Sequence, residues 1–217
     1  MRVLAAFVFV AAVTGAIPAA ANTFEGCTAE QSRMVRTAFD SAKTLTLKAA
    51  ASVGDTREYA RWFGEYSFMN AERVRASLKS VVTTIRSGAV TARCERIGPD
   101  ACQANEYAYV FSDEPYLMYL CPSFFDLPSL AALQPGARRS NFGTREGTIV
   151  HEVSHFLQVA GTEDHCYSRL DCSTMARSDP RRAIENADSY QYFTEDVTYY
   201  ARQPIEGKPD NLQMAQP

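Results

Sequence analysis

Two histidines separated by three residues are the feature of this sequence that most directly suggests chemistry. Residues 151–155 read H-E-x-x-H, and the chain contains only three histidines in all. The surrounding pattern predicts a helix from Thr148 to Ala160, and residues four apart on a helix share a face. His151 and His155 can therefore bind one zinc ion, while Glu152, about 100° further round the helix, can reach a water molecule beside that ion.

A catalytic zinc site takes three protein ligands and leaves a fourth position for water, so a third ligand is expected downstream of His155. Three candidates follow in order, Glu163, Asp164 and His165. The metzincin arrangement is excluded because it requires glycine three residues after the second histidine, where this chain has Gln158. Imidazole is the commonest zinc ligand, but the residues alone leave both Asp164 and His165 open.

The segment after the histidines resembles a known family. Residues 161–167 read G-T-E-D-H-C-Y, which is similar to the G-T-x-D-x-x-Y signature of the aspzincins, the deuterolysin and peptidyl-Lys metalloendopeptidase family of zinc proteases. The family motif continues with glycine, where this chain has Ser168. Further similar stretches lie at residues 62–64, 107–110, 119–124, 147–149 and 186–190, so that the resemblance covers about 27–200.

The resemblance implies a site and a reaction. Asp164 would be the third zinc ligand, completing a site for one Zn²⁺ ion, and Tyr167 would stabilise the oxyanion. In such a site zinc lowers the pKa of its water, and Glu152 takes the proton as that water attacks the peptide carbonyl. The expected partners are protein or peptide substrates.

The resemblance also bears on substrate preference. In the lysine-specific branch of the family, the aspartate of an N-A-D motif and an acid three residues later face the S1′ pocket. Asp188 matches the first, but the second position is Gln191, a neutral amide. One carboxylate compensates a buried ammonium less well than two. We therefore expect an S1′ preference that is relaxed or leans only weakly toward basic residues.

The alternative from another functional class is a secreted effector or binding protein with the same fold and zinc but no proteolysis. A binding module has no use for a proton acceptor beside the metal, so the presence of Glu152 favours the enzyme. A purely structural zinc site would have four protein ligands, often thiolates.

The N-terminus and the composition bound the class and location of the protein. Residues 1–21 have a basic start, an apolar stretch and small residues at the end, which is typical of a secretory signal peptide. The 217 residues are 46% hydrophobic with a net charge of −3, which fits one globular domain and gives no basic surface for nucleic acid. We expect a secreted monomer (extracellular or periplasmic), with no membrane partner after signal cleavage, a domain at 22–202 and a flexible tail at 203–217.

An even number of cysteines in an exported chain predicts disulfides rather than free thiols. All six cysteines follow the signal peptide, and their spacing favours local closure of Cys166 with Cys172. The family resemblance implies the other two pairs, Cys27 with Cys94 and Cys102 with Cys121.

Periodicity and turn signals predict an α+β domain of the zincin-like metalloprotease type. Two N-terminal helices are expected at residues 28–51, after a Thr28 capping box, and at residues 70–86. Two antiparallel strands at 107–111 and 116–121 imply a small, mostly antiparallel sheet, followed by a surface loop at 122–142. Beyond the active-site helix, one long C-terminal helix is expected from Asp179-Pro180 to about residue 201.

Overall fold

The N-terminal half is built on three helices. The structure, a computed structural model, describes residues 21–133 and 143–197. Strand β1 (Thr23–Glu25) leads into α1 (Ala29–Ser52), whose predicted capping box between Thr28 and Gln31 is present, and α2 (Arg57–Phe63) and α3 (Phe68–Ser87) follow. The two long predicted helices are confirmed to within two residues at each end. Helix α2 is too short for a periodic signal and escaped the sequence reading.

A four-stranded sheet follows, and its pairing corrects one expectation. Strands β2 (Thr91–Cys94), β3 (Ala108–Val110) and β4 (Leu117–Leu120) join β1 in the order β1-β2-β4-β3. The β3–β4 pair is antiparallel as predicted, but β1–β2 and β2–β4 are parallel, so the expectation of a mostly antiparallel sheet is wrong. The helices between β1 and β2 form a crossover connection, which returns the chain in the same direction. Strands of three or four residues are too short to show alternation.

The described part of the expected surface loop at 122–142 is folded into short helices and is partly buried. Short 3-10 helices occupy Pro122–Asp126 and Leu130–Ala132, and Phe124 and Leu130 belong to the core. Residues 134–142 lie outside the described part of the chain. Helix α4 (Arg145–His155) carries the H-E-x-x-H segment and is shorter at its C-terminal end than the predicted Thr148–Ala160 helix.

Within residues 156–197 the chain forms three helices, not one. They are α5 (Arg169–Ser178), α6 (Pro180–Ile184) and α7 (Ala187–Glu195), and Asp179 caps α6 as expected from the Asp-Pro signal. The predicted single helix is wrong because residues 185–187 break it to pair with Glu163, whose N–H donates to the Glu185 carbonyl and whose carbonyl accepts from Ala187. The predicted extension to residue 201 and the tail at 203–217 lie outside the described residues.

The two halves share one hydrophobic core and are stapled by disulfides. In the core, the ring of Phe63 on α2 makes edge contacts with Tyr190 and Phe193 on α7, and Trp62 makes a tilted contact with Tyr192. All three expected disulfides are present, Cys27–Cys94, Cys102–Cys121 and Cys166–Cys172. Within residues 21–133 and 143–197, no helix combines the length and apolar character needed to cross a bilayer.

Candidate active site

Helix α4 forms the floor of the site, and its N-terminus is fixed by the last helix. The Thr144 hydroxyl accepts from the Gly147 N–H as the N-cap and lies 2.8 Å from Glu195 Oε1 on α7, to which it donates. A Cβ at Gly147 would lie 2.2 Å from Glu195 Oε1, so only glycine permits this approach of the two helices. Residues 146–154 of α4 are all buried.

Three donor atoms converge beside α4. Nε2 of His151 and Nε2 of His155 lie 3.2 and 3.5 Å from Asp164 Oδ1, and the three candidate ligand atoms are all within 4.8 Å of one another. Ligands about 2.0–2.1 Å from a tetrahedral zinc ion are separated by about 3.3 Å. The spacing and the two-imidazole, one-carboxylate chemistry of this set therefore fit zinc.

The outer nitrogens of both imidazoles are hydrogen-bonded away from the cluster. His151 Nδ1 lies 2.8 Å from Asp188 Oδ1, and His155 Nδ1 lies 2.8 Å from the Thr162 carbonyl oxygen. A carbonyl only accepts, so His155 must carry its proton on Nδ1 and present a lone pair at Nε2. A carboxylate at His151 favours the same tautomer. Both rings are thus held ready to bind a metal.

Protonation tendencies in the cluster follow from burial and from these contacts. Burial raises the pKa of Glu152 to about 7, with His151 opposing the shift and Asp164 adding to it. Burial and the neighbouring His151 lower the pKa of His155, which favours the neutral imidazole that metals bind. Burial acts to raise the pKa of Asp164, but the hydrogen bond to His151, the charges of His151 and His155 and the contact with Tyr167 together outweigh it and lower that pKa. A Glu152 pKa near neutrality suits proton transfer.

The structure distinguishes the two residues that the sequence left open as a third donor. Asp164 reaches the imidazoles, whereas His165 turns toward Glu163 Oε2 at 3.6 Å and the Arg182 guanidinium at 3.3 Å. Asn186 holds this segment in place, since its Oδ1 accepts from the backbone N–H groups of His165 and Cys166 at 2.8 and 3.1 Å.

Tyr167 lies at the open side of the same cleft. The residue is 69% exposed, and its hydroxyl is close enough to the Asp164 carboxylate to help lower the pKa of that group, so it reaches the cluster while facing solvent. Ser168, which replaces the glycine of the family motif, has φ −116° and caps α5 by accepting from the Asp171 N–H. The backbone there is extended and requires no glycine.

The two residues expected to contact substrate both line the cleft, with different surroundings. Asp188 is 5% exposed and is bound to His151, a contact that sequence reasoning did not foresee because no local pattern links residues 37 positions apart. Gln191 is also 5% exposed, and its side-chain amide has no hydrogen-bond partner among the described residues. The cleft has a volume of about 390 Å³.

Three other groups contribute to the site and were not predicted from the sequence. The Thr162 carbonyl and Asn186 orient the ligand set from loops and a helix start, and Glu106 lines the cleft from the segment before β3. The Asn186 position had a signal in the N-A-D motif, which was read only for Asp188. No signal in the sequence pointed to Glu106 or to the Thr162 carbonyl.

A helix-borne H-E-x-x-H, a third carboxylate donor and a cleft bordered by a sheet edge define a zinc metallopeptidase of the zincin type. The family model described as "Lysine-specific metallo-endopeptidase" matches residues 48–195, which contain the whole site. The chain belongs to this family, the aspzincins.

Individual relatives agree with the family assignment. An extracellular protease of Aeromonas hydrophila is 31% identical over 82% of this chain, and the match spans 48% of that protein's length. A peptidyl-Lys metalloendopeptidase of Pleurotus ostreatus is 30% identical over 80% of this chain and 96% of its own length. The solved zinc peptidase from Grifola frondosa has the same fold, with a TM-score of 0.67, 24% identity, and coverage of 79% of this chain and 98% of that one.

Proposed function

We propose that this chain is a secreted, zinc-dependent endopeptidase that hydrolyses peptide bonds of protein or peptide substrates. The convergence of His151, His155 and Asp164 beside the buried Glu152 is the observation that carries the proposal. These three side chains would hold one zinc ion. When bound there, zinc supplies Lewis-acid polarisation and acidifies water.

The chain's own groups account for proton transfer and charge stabilisation. Glu152, as general base, accepts the proton of the attacking water and then delivers it to the leaving amine. The Tyr167 hydroxyl lies beside Asp164 at the cleft opening, where it can donate to the oxygen that becomes negative in the transition state. Asp188 keeps His151 in the ligating tautomer.

The cleft suits an extended polypeptide. Strand β3 is the edge of the sheet in the order β1-β2-β4-β3, and residues 105–110 line the cleft beside α4. Backbone groups on the outer side of an edge strand can pair with an added strand. For the S1′ subsite we propose the preference that the sequence predicts, one that is relaxed or leans weakly toward basic residues. Gln191 is neutral, and Asp188 is engaged with His151.

Secretion and the remaining partners stay predictions. Three disulfides suit an oxidising compartment, and the Aeromonas hydrophila relative is named an extracellular protease. The predicted signal peptide at 1–21 lies outside the described residues, apart from its final alanine. A monomer without nucleic-acid or membrane partners is still expected.

A Glu152→Gln variant tests the proposed reaction. The purified mature chain, loaded with zinc, should digest casein, and a chelator should abolish the digestion. Glu152→Gln should lower kcat by at least about 100-fold while zinc binding is retained, because the amide cannot accept the proton. Exposed Glu163, whose change to Gln should leave kcat nearly unchanged, provides the matched control. Undiminished hydrolysis by Glu152→Gln would contradict the assigned base.

A further inference from the structure

The acid that the sequence marks for substrate recognition is already engaged. Asp188 Oδ1 lies 2.8 Å from His151 Nδ1, and the side chain is 7% exposed. Because the Asp188 carboxylate already accepts from the imidazole, it binds a substrate cation less strongly than a free carboxylate would. Any strong preference for a basic residue therefore needs another carboxylate.

Glu106 is the other acid on the cleft wall outside the ligand set and its immediate partners. It lies in the segment between Cys102 and β3, and the cleft it lines is shared with Asp188 and Gln191, which come from the other side on α7. Glu106 belongs to the run of residues 105–110 that lines this cleft along the edge strand of the sheet.

The Glu106 carboxylate is held in place by its own loop. Oε2 accepts from the Gln103 N–H at 2.9 Å, and the loop is closed by the Cys102–Cys121 disulfide and by the bond from the Cys121 N–H to the Tyr107 carbonyl. Asn105, immediately before it, has φ +69°, a conformation that non-glycine residues seldom adopt. In the described part of the chain, Oε1 has no hydrogen-bond partner.

Gln191 places a second polar group on the wall of this cleft. The residue is 5% exposed and lines the cleft, and its side-chain amide makes no hydrogen bond within residues 21–133 and 143–197. The amide atoms are not among the enclosed atoms that lack a partner in that part of the chain, so they remain accessible to a polar group of a ligand. An amide oxygen can accept from an ammonium or guanidinium but does not neutralise its charge.

We propose that Glu106 is a specificity-determining residue that receives the positive charge of a lysine or arginine side chain of the substrate, together with the Gln191 amide. The inference deepens the proposed peptidase function and rests on it. The acidic determinant of the cleft is thereby placed on the segment before β3, across from helix α7.

Selectivity, not total activity, is the measurement that tests this role. Matched peptides carrying lysine or the isosteric, uncharged norleucine beside the cleaved bond give a kcat/KM ratio for each variant. Glu106→Gln keeps an oxygen for the Gln103 N–H but removes the charge, and it should lower the lysine-to-norleucine ratio about tenfold. Effects of the Glu106 charge on Glu152 change both peptides alike and cancel in the ratio.

Controls separate this role from structural and general electrostatic effects. Glu114→Gln changes an exposed acid in the β3–β4 turn, outside the cleft lining, and should leave the ratio unchanged. An equal fall for both peptides, or a ratio unchanged by Glu106→Gln, would overturn the proposal. Cut-site mapping on a denatured protein, compared between the wild type and Glu106→Gln, shows at which substrate position the variant loses preference for lysine and arginine.

A binding measurement distinguishes failure of this inference from failure of the proposed peptidase function. Fluorescence anisotropy with the same labelled peptides is measured on Glu152→Gln and on the Glu152→Gln, Glu106→Gln double variant. Tighter binding of the lysine peptide that disappears in the double variant supports the role of Glu106 even if the wild-type chain cleaves neither peptide. Equal lysine selectivity in the two proteins overturns it, even if casein is digested.

Discussion

At the scale of single residues, the tautomer of each imidazole is set by the group that hydrogen-bonds its Nδ1 atom. A histidine that is free to choose its tautomer presents a lone pair at Nε2 only part of the time. The Thr162 carbonyl and the Asp188 carboxylate remove that freedom for His155 and His151, respectively. Partners of this kind typically change metal affinity or activity by about 10- to 100-fold when they are removed.

Asp188→Asn should weaken zinc binding about 10- to 100-fold. An asparagine amide can turn its NH₂ toward His151 Nδ1, which places the ring proton on Nε2, where the metal would bind. Competition with a chromophoric chelator measures the affinity, and Glu163→Gln is the control because that carboxylate is 73% exposed and lies near the His165 ring. An affinity equal to that of the wild type would show that Asp188 does not orient His151.

At the scale of elements, the break between α6 and α7 positions the third donor. Glu185 and Asn186 lie between the two helices, the Glu185 carbonyl and the Ala187 N–H pair with the backbone of Glu163, and the Asn186 side chain accepts from the two N–H groups that follow Asp164. A continuous helix, as the periodicity suggested, would leave those donors buried and unsatisfied. The break between α6 and α7 therefore supplies the hydrogen bonds that hold the segment carrying Asp164 in place.

Asn186→Ala should destabilise the fold and loosen the third ligand together. Asn186 is fully buried, so two backbone donors lose their acceptor, at about 1–3 kcal/mol for each unsatisfied group. Urea unfolding should show a loss of about 2 kcal/mol or more, and zinc affinity should fall with it. Ser189→Ala removes only the hydrogen bond at 3.3 Å from the Asn186 side chain and should leave zinc affinity intact. Equal effects of the two variants would argue against a positioning role for Asn186.

At the scale of the whole molecule, the disulfides join segments that are distant in sequence. Cys27–Cys94 links the start of α1 to β2 across 67 residues, whereas Cys166–Cys172 closes a separation of 6 beside the site. Cross-links restrict the unfolded chain more when they close longer loops. Global stability should therefore depend more on the N-terminal bridge, and the local bridge should affect mainly the Asp164 segment.

Replacing each pair by serine tests this division. Loss of Cys27–Cys94 should lower the free energy of unfolding by about 4 kcal/mol, and loss of Cys166–Cys172 by about 2 kcal/mol. Chemical denaturation of the three proteins measures both values. A larger loss from the short bridge would mean that strain or packing, and not loop closure, governs their contributions.

The sequence by itself determined those parts of the protein that depend on short-range spacing. The pair His151 and His155, the adjacent Glu152, the capping box at Thr28 and the β3–β4 turn all follow from residues within a few positions of one another, where helix and turn geometry is fixed. The family motif extended this to Asp164, which lies within hydrogen-bonding distance of His151.

Tertiary structure decided the rest, because the relevant partners are far apart in the chain. Asp188 meets His151 across 37 residues, Asn186 holds the Asp164 segment across about 20, and Glu106 lines the cleft from the segment before the edge strand β3. The parallel pairing of β1 with β2 likewise depends on a helical crossover of more than 60 residues. Such contacts form when buried surfaces pack together, and no local preference of the backbone encodes them.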